Sequence, residues 1–222
     1  MEKSTLKVRC IIYDCDGVLF DSLEANTRLY NDLCESVGRP PLTWEEIKYV
    51  HSHTVYESVH FLFARDEELE KRALETLKQI DFRRYIVYLK MEPNLLKTLD
   101  LLKANGIRRA INTNRTTSMK TIMEEFKLWP YFDLVVTALD VKHPKPHPES
   151  IEKIMNTFRL ARHEALFVGD SDVDWSTAKA GEIDFISYKN EEIATPMVIH
   201  DHLELVNLIF CPKGAEDCSS PR

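Results

Sequence analysis

The sequence predicts an α/β fold, a Rossmann-like, doubly wound parallel sheet interrupted by an all-helical insertion. Three observations carry this. Residues 8–13 form a short apolar run rich in β-branched side chains, stopped by Asp14 and Gly17, as a buried strand running into a polar loop would be. Residues 22–90 then show helical spacing with almost no strand signal. From residue 91 onward helical and strand periods alternate, which implies parallel strands joined by right-handed crossovers with helices on both faces.

In chain order, Leu29, Leu33 and Val37 recur at helical spacing until Gly38, Pro40 and Pro41 end the helix. Thr43 with Glu46 is a capping-box pair that starts the next one. Helices are expected over 55–65, 66–79 and 81–90, and the charged run 66–72 reads as a solvated helix face. Leu95, Leu99 and Leu102 share one face of a helix over 94–105 that stops at Gly106. A strand over 107–112, a helix over 116–128, a strand over 131–136 and a helix over 148–160 follow. Next come a strand over 165–168, a helix over 173–180 ending at Gly181, and a last short strand over 183–187. This assigns residues 1–21 and 91–210 to the core domain and 22–90 to a helical domain. Residues 211–222, with two prolines and a glycine, are expected to be a flexible tail.

A chain of 222 residues has room for one α/β domain and a small insertion. Its net charge of -7 argues against nucleic acid or an anionic membrane as partner and favours a small molecule. The five cysteines are odd in number and lack paired metal-ligand spacing, so no disulfide framework or zinc site is expected, and a reducing cytoplasm fits. The apolar run near the start is broken by Arg9 and Asp14 and does not read as a signal peptide, and no stretch reaches spanning length.

The acidic and hydroxyl residues fall where such a fold places its chemistry. Asp14 and Asp16 follow the first strand, Thr113 and Asn114 the second, and Asp170 and Asp174 the fourth; Lys145 lies in a loop stiffened by Pro144, Pro146 and Pro148. Any one of these aspartates alone reads as a turn or cap residue; their shared position at strand ends is what argues for function. Four carboxylates against one lysine leave a formal charge of -3, which would repel a phosphate dianion unless a divalent cation intervened. The donors are all oxygens, which suits Mg2+. His51 and His53 are two residues apart, which turns their rings away from each other on a helix; a substrate-facing place suits them better than a metal pair. Strand alternation turns Cys15 toward the core. Arg115 either touches substrate or points to solvent.

The segments DCDGVLFDS (14–22), INTN (111–114), PKPHPE (144–149) and FVGDSDVD (167–174) resemble, in order and separation, the four signature motifs of the haloacid dehalogenase superfamily. The likeness spans about residues 8–188 and looks closest to the phosphoglycolate phosphatase and β-phosphoglucomutase branch. It implies a Rossmann-like core with the helical block as a cap over the substrate. It also implies that Asp14 is a nucleophile forming an aspartyl-phosphate and Asp16 the acid and then base. By the same likeness Thr113 and Asn114 hold phosphoryl oxygens and Lys145 offsets charge. Mg2+ would be bound by Asp14, the Asp16 backbone carbonyl and Asp170, with Asp174 direct or through water. The dehalogenase members lack the second aspartate, so Asp16 favours phosphoryl transfer. Asn94 stands where relatives often carry glycine. The expected reaction is hydrolysis of a small phosphorylated metabolite; a mutase of the β-phosphoglucomutase type and a non-catalytic binding protein are the alternatives. Monomer and homodimer both stay open.

Overall fold

In the computed structural model, which describes residues 8–195 and 197–210, the chain opens with β1 (Cys10–Tyr13), whose four residues are all buried. A two-residue strand, β2 (Phe20–Asp21), leads into five helices: α1 (Leu23–Ser36), α2 (Trp44–Ser52), α3 (Val55–Phe63), α4 (Glu67–Gln79) and α5 (Arg83–Ile86). The chain leaves this unit through β3 (Lys90–Met91), which pairs antiparallel with β2, Phe20 opposite Met91 and Asp21 opposite Lys90. The alternating part follows as α6 (Leu95–Ala104), β4 (Arg108–Asn112), α7 (Ser118–Glu125), β5 (Leu134–Val136), α8 (Glu149–Phe158), β6 (Ala165–Gly169), α9 (Asp172–Ala180), β7 (Asp184–Tyr188), β8 (Val198–Ile199) and α10 (His202–Phe210).

Six strands form one parallel sheet in the order β5-β4-β1-β6-β7-β8, so β1 sits between the two strands that carry the other site segments. Both faces of this sheet are covered. Ile11 and Tyr13 enter one apolar core with Leu99, Leu102 and Leu205, while Cys10 and Ile12 enter another with Ile151, Ile154 and Phe185. Each such fully buried aliphatic chain contributes about 1.5–3 kcal/mol. Cys15 lies in the first core, as alternation predicts. The helical unit has a core of its own, in which Tyr30 and Leu33 of α1 meet Val50, Val59 and Phe63. The capping box of Thr43 and Glu46 opens α2.

Several boundaries differ from expectation. The helix expected over 81–90 shortens to Arg83–Ile86, because Lys90 and Met91 are taken up by the ribbon with β2. A two-residue pairing has too few positions for a strand period to register. The strand over 183–187 is not the last, since β8 extends the sheet and α10 packs against α6. Asn94 has φ 58°, the left-handed region where glycine is least strained and asparagine is tolerated, and its Nδ2 donates to Asp201 at 2.7 Å. Cys10, Cys15 and Cys34 are free and buried; Cys211, Cys218 and the expected flexible tail lie outside the described residues. Among the described residues no helix is long and apolar enough to cross a membrane.

Candidate active site

The site is assembled one residue beyond the strands. The Asp14 amide donates to the Val168 carbonyl at 3.0 Å and the Thr113 amide to the Val136 carbonyl at 3.0 Å, so the β1/β6 and β4/β5 ladders set where both side chains emerge. Asp174 is placed by a helix cap. The Ser171 hydroxyl donates to Asp174 Oδ2 at 2.6 Å and accepts from the Asp174 amide at 3.2 Å, which opens α9 and leaves Oδ1 free to face the cleft. There the Lys145 ammonium, 3% exposed, donates to Asp174 Oδ1 at 2.6 Å and to Asp14 Oδ1 at 2.8 Å.

Lys145 is brought in by its backbone. Its amide donates to Asn114 Oδ1 and its carbonyl accepts from Asn114 Nδ2, both at 3.0 Å. Asn114 was expected on the phosphoryl oxygens; its amide instead grips the main chain of Lys145, since a side-chain amide with one donor face and one acceptor matches a peptide unit. The Thr113 hydroxyl accepts from the Arg115 amide at 3.1 Å, which leaves its own proton to donate elsewhere.

One carboxylate oxygen each from Asp14, Asp170 and Asp174 lie within 4.8 Å of one another. Two glycines make room for them. A Cβ at Gly17, whose φ is +70°, would overlap the Asp170 carboxylate, and one at Gly169 would overlap the side chain of Asp174. Burial, and then the neighbouring Asp174, push Asp14 up to about 7 although Lys145 pulls it down. Burial, Asp174 and Asp14 likewise raise Asp170 well above the ordinary carboxylate range. Crowded, proton-hungry carboxylates with a single ammonium among them fit a hard divalent cation, which replaces the protons and relieves the repulsion.

Asp16 behaves differently. Its carboxylate turns away from these three and lies 2.5 Å from Arg115 Nη2, with Asn26 Nδ2 at 3.2 Å. Burial alone would raise its pKa, but the Arg115 guanidinium and then His51 outweigh that and lower it. Arg115 therefore does not point to solvent: it lines the cleft and holds Asp16, and it brings the formal charge of the cleft to -2 rather than the -3 counted without it. Asn26 also accepts from Arg115 Nη2 at 3.2 Å and lies 3.2 Å from His51 Nδ1. His53 stacks on Tyr49 with ring centres 3.8 Å apart, and both histidines border the cleft.

Asn26 and Arg115 are the site residues that the sequence reading did not assign. A usable signal existed for Asn26, a polar residue at helical spacing from Leu29, Tyr30 and Leu33, on the buried stripe of α1. The cleft encloses about 50 Å³ between the strand ends and α1 to α3, with Leu29, Tyr30, Val50, Val55 and Phe82 as its apolar wall.

Comparisons with known proteins bear on this arrangement. Residues 11–188 match the family profile described as haloacid dehalogenase-like hydrolase. Phosphoglycolate phosphatase 1 of Pseudomonas aeruginosa is 27% identical over 182 residues, 79% of this chain and 67% of that protein. Pyrophosphatase PpaX of Bacillus pumilus is 24% identical over 183 residues, 81% of this chain and 82% of that protein. Among solved structures, a subfamily IA hydrolase of the same superfamily from Geobacter sulfurreducens superposes with a TM-score of 0.74 at 35% identity, covering 91% of this chain and 97% of that one.

Proposed function

The chain belongs to the haloacid dehalogenase-like hydrolase family, and from that premise we propose that it is a Mg2+-dependent phosphatase hydrolysing a small phosphate monoester through an aspartyl-phosphate on Asp14. The observation that carries this reading is the meeting of Asp14, Asp170 and Lys145, from three distant segments, around one cleft.

In the first half of the reaction an Asp14 oxygen bonds to phosphorus as the bond to the ester oxygen breaks, and Asp16 gives that oxygen its proton. Lys145, already on Asp14 Oδ1, limits charge build-up between the carboxylate and the incoming phosphoryl, and the Thr113 hydroxyl donates to a phosphoryl oxygen. In the second half water bonds to phosphorus, the Asp14–phosphorus bond breaks, and Asp16 takes up the water's proton. Asp14 and Asp170, with the Asp16 carbonyl and with Asp174 direct or through water, would hold the cation, which when bound cancels charge between the carboxylates and the phosphoryl oxygens. Asp16, held ionised beside Arg115, has to leave that guanidinium and take up a proton before it can give one to the leaving oxygen.

Helices α1 to α5 serve in this reading as a cap over the substrate, with residues 22–90 as its extent. The narrow cleft supports a compact substrate, since drug-sized pockets run to about 300–1,000 Å³. Phosphoglycolate and pyrophosphate, named for the two relatives above, are compact, and each carries a second anionic group beside the reacting phosphoryl. Buried free cysteines support a cytoplasmic setting. The test is release of inorganic phosphate from a panel of small phosphate esters with Mg2+, ranked by kcat/KM. Conversion of a phosphorylated sugar to its isomer without free phosphate would replace hydrolysis by mutase chemistry.

A further inference from the structure

We infer that the Arg115 guanidinium is the recognition site for a second anionic group of the substrate, a carboxylate or phosphate two or three bonds from the reacting phosphorus. The inference deepens the phosphatase reading above and rests on it.

Position comes first. Arg115 lies two residues after Thr113 and its guanidinium is 2.5 Å from Asp16 Oδ1. Asp16 swings from Arg115 to the leaving oxygen to protonate it, so the guanidinium lies within the sweep of one aspartate side chain of where that oxygen will be. A substituent on the leaving oxygen can therefore reach Arg115.

Chemistry comes second. The guanidinium is 13% exposed, and its present partners are Asp16, Asn26 and, at 3.4 Å, the Ser118 hydroxyl. When Asp16 turns toward the leaving oxygen, a cation shut inside the cleft loses its charged partner, an arrangement that proteins avoid unless another anion arrives. The Arg115 Nε proton already has no acceptor. Nε and Nη2 together present the planar fork that binds a carboxylate or phosphate with two parallel hydrogen bonds. The other basic groups lining the cleft are already engaged, His53 Nδ1 lying 2.9 Å from the Tyr49 carbonyl. Lys145 is engaged by Asp14 and Asp174, and the His51 ring sits on Asn26. A substrate anion would thus take over the guanidinium and free the Asp16 oxygen in one exchange, so that an ester lacking the anion binds less well and leaves Asp16 held.

The experiment compares 2-phosphoglycolate with ethyl phosphate, in which a methyl group replaces the carboxylate, on the wild-type protein, Arg115→Gln and Arg115→Lys with Mg2+ present. The wild type is expected to favour phosphoglycolate by at least about 100-fold in kcat/KM. Arg115→Gln is expected to bring that ratio to within about tenfold of unity, mainly by raising KM for phosphoglycolate, and Arg115→Lys to retain part of it. Calorimetric binding of the same two esters reads the contrast without turnover. A protein that hydrolyses neither ester, yet binds phosphoglycolate tightly only with Arg115 present, would defeat the phosphatase reading and leave the anion site standing. Equal or undetectable binding of the two esters by the wild type overturns the inference, as do equal losses on both esters in Arg115→Gln with Arg115→Lys no better.

Discussion

Lys145 and Asp174 meet at 2.6 Å with side chains 3% and 0% exposed, so the lysine is tied as closely to the carboxylate that caps α9 as to Asp14 at 2.8 Å. Among the described residues it is the only ammonium in contact with the two buried carboxylates, Asp14 and Asp174. Lys145→Met is therefore expected to cost about 3–5 kcal/mol of stability, measured by denaturant unfolding, because buried charges lose their partner. Turnover should fall by on the order of 100-fold or more. Added Mg2+ should recover part of the lost stability, since a cation on the carboxylates supplies the missing positive charge. A variant as stable as the wild type without metal would refute this account of the site.

Asp14→Asn keeps the shape of the side chain and removes one negative charge from a place with an excess of them. Turnover is expected to drop by at least about 1,000-fold while the melting temperature stays level or rises. A phosphorylated protein trapped by acid quench of the wild type should be absent from the variant. Full activity in Asp14→Asn would remove Asp14 as nucleophile.

Chelation should abolish turnover, and Mg2+ should restore it where Ca2+ does not, because the larger ion takes more ligands and looser geometry than an in-line transfer tolerates. Gly17→Ala provides a sharper test without altering any ligand. Its Cβ would displace the Asp170 carboxylate, and its φ of +70° adds strain. The Mg2+ concentration for half-maximal activity is expected to rise at least about tenfold, read from a metal titration; an unchanged value would place Asp170 outside the metal site.

The strand ends were legible in the sequence because the apolar runs stop abruptly. Tyr13 gives way to Asp14, Asn112 to Thr113 and Val168 to Gly169 and Asp170, and a parallel sheet puts such stops on one edge. Lys145 was legible through the prolines around it. What stayed hidden is pairing between side chains with no local signature. Arg115 and Asp16 are 99 residues apart, and nothing in either segment names the other. Asn114 was assigned to the phosphoryl group on resemblance, whereas its partner depends on the path of a loop 31 residues away. The strands β2, β3 and β8 are two residues each, too short for any period.

His202 sets the acid side of the stability profile. It is buried, stacked on Tyr188 at 4.5 Å, with Nε2 2.9 Å from the Val18 carbonyl, and burial lowers its pKa to about 4. Folded, it stays neutral where the unfolded chain already binds a proton near pH 6.5. The stability this difference represents is present above pH 6.5 and is lost as pH falls to 4, about 3 kcal/mol in all. Asp14, raised to about 7, has the opposite sign, favouring the metal-free fold below its unfolded pKa and losing that contribution as pH rises through 7. His202→Gln should therefore show a shallower loss between pH 7 and 4 than the wild type, measured by urea unfolding at each pH. Parallel curves would show that the ring is protonated in the fold.

The chain enters and leaves the helical unit through the paired β2 and β3, Phe20 opposite Met91. Entry and exit lie side by side, so exchanging everything between them asks the rest of the chain to close no wider gap than a hairpin does. The residues between the two strands can in this way be lengthened, shortened or exchanged while Arg115 and the acidic edge of the sheet keep their places.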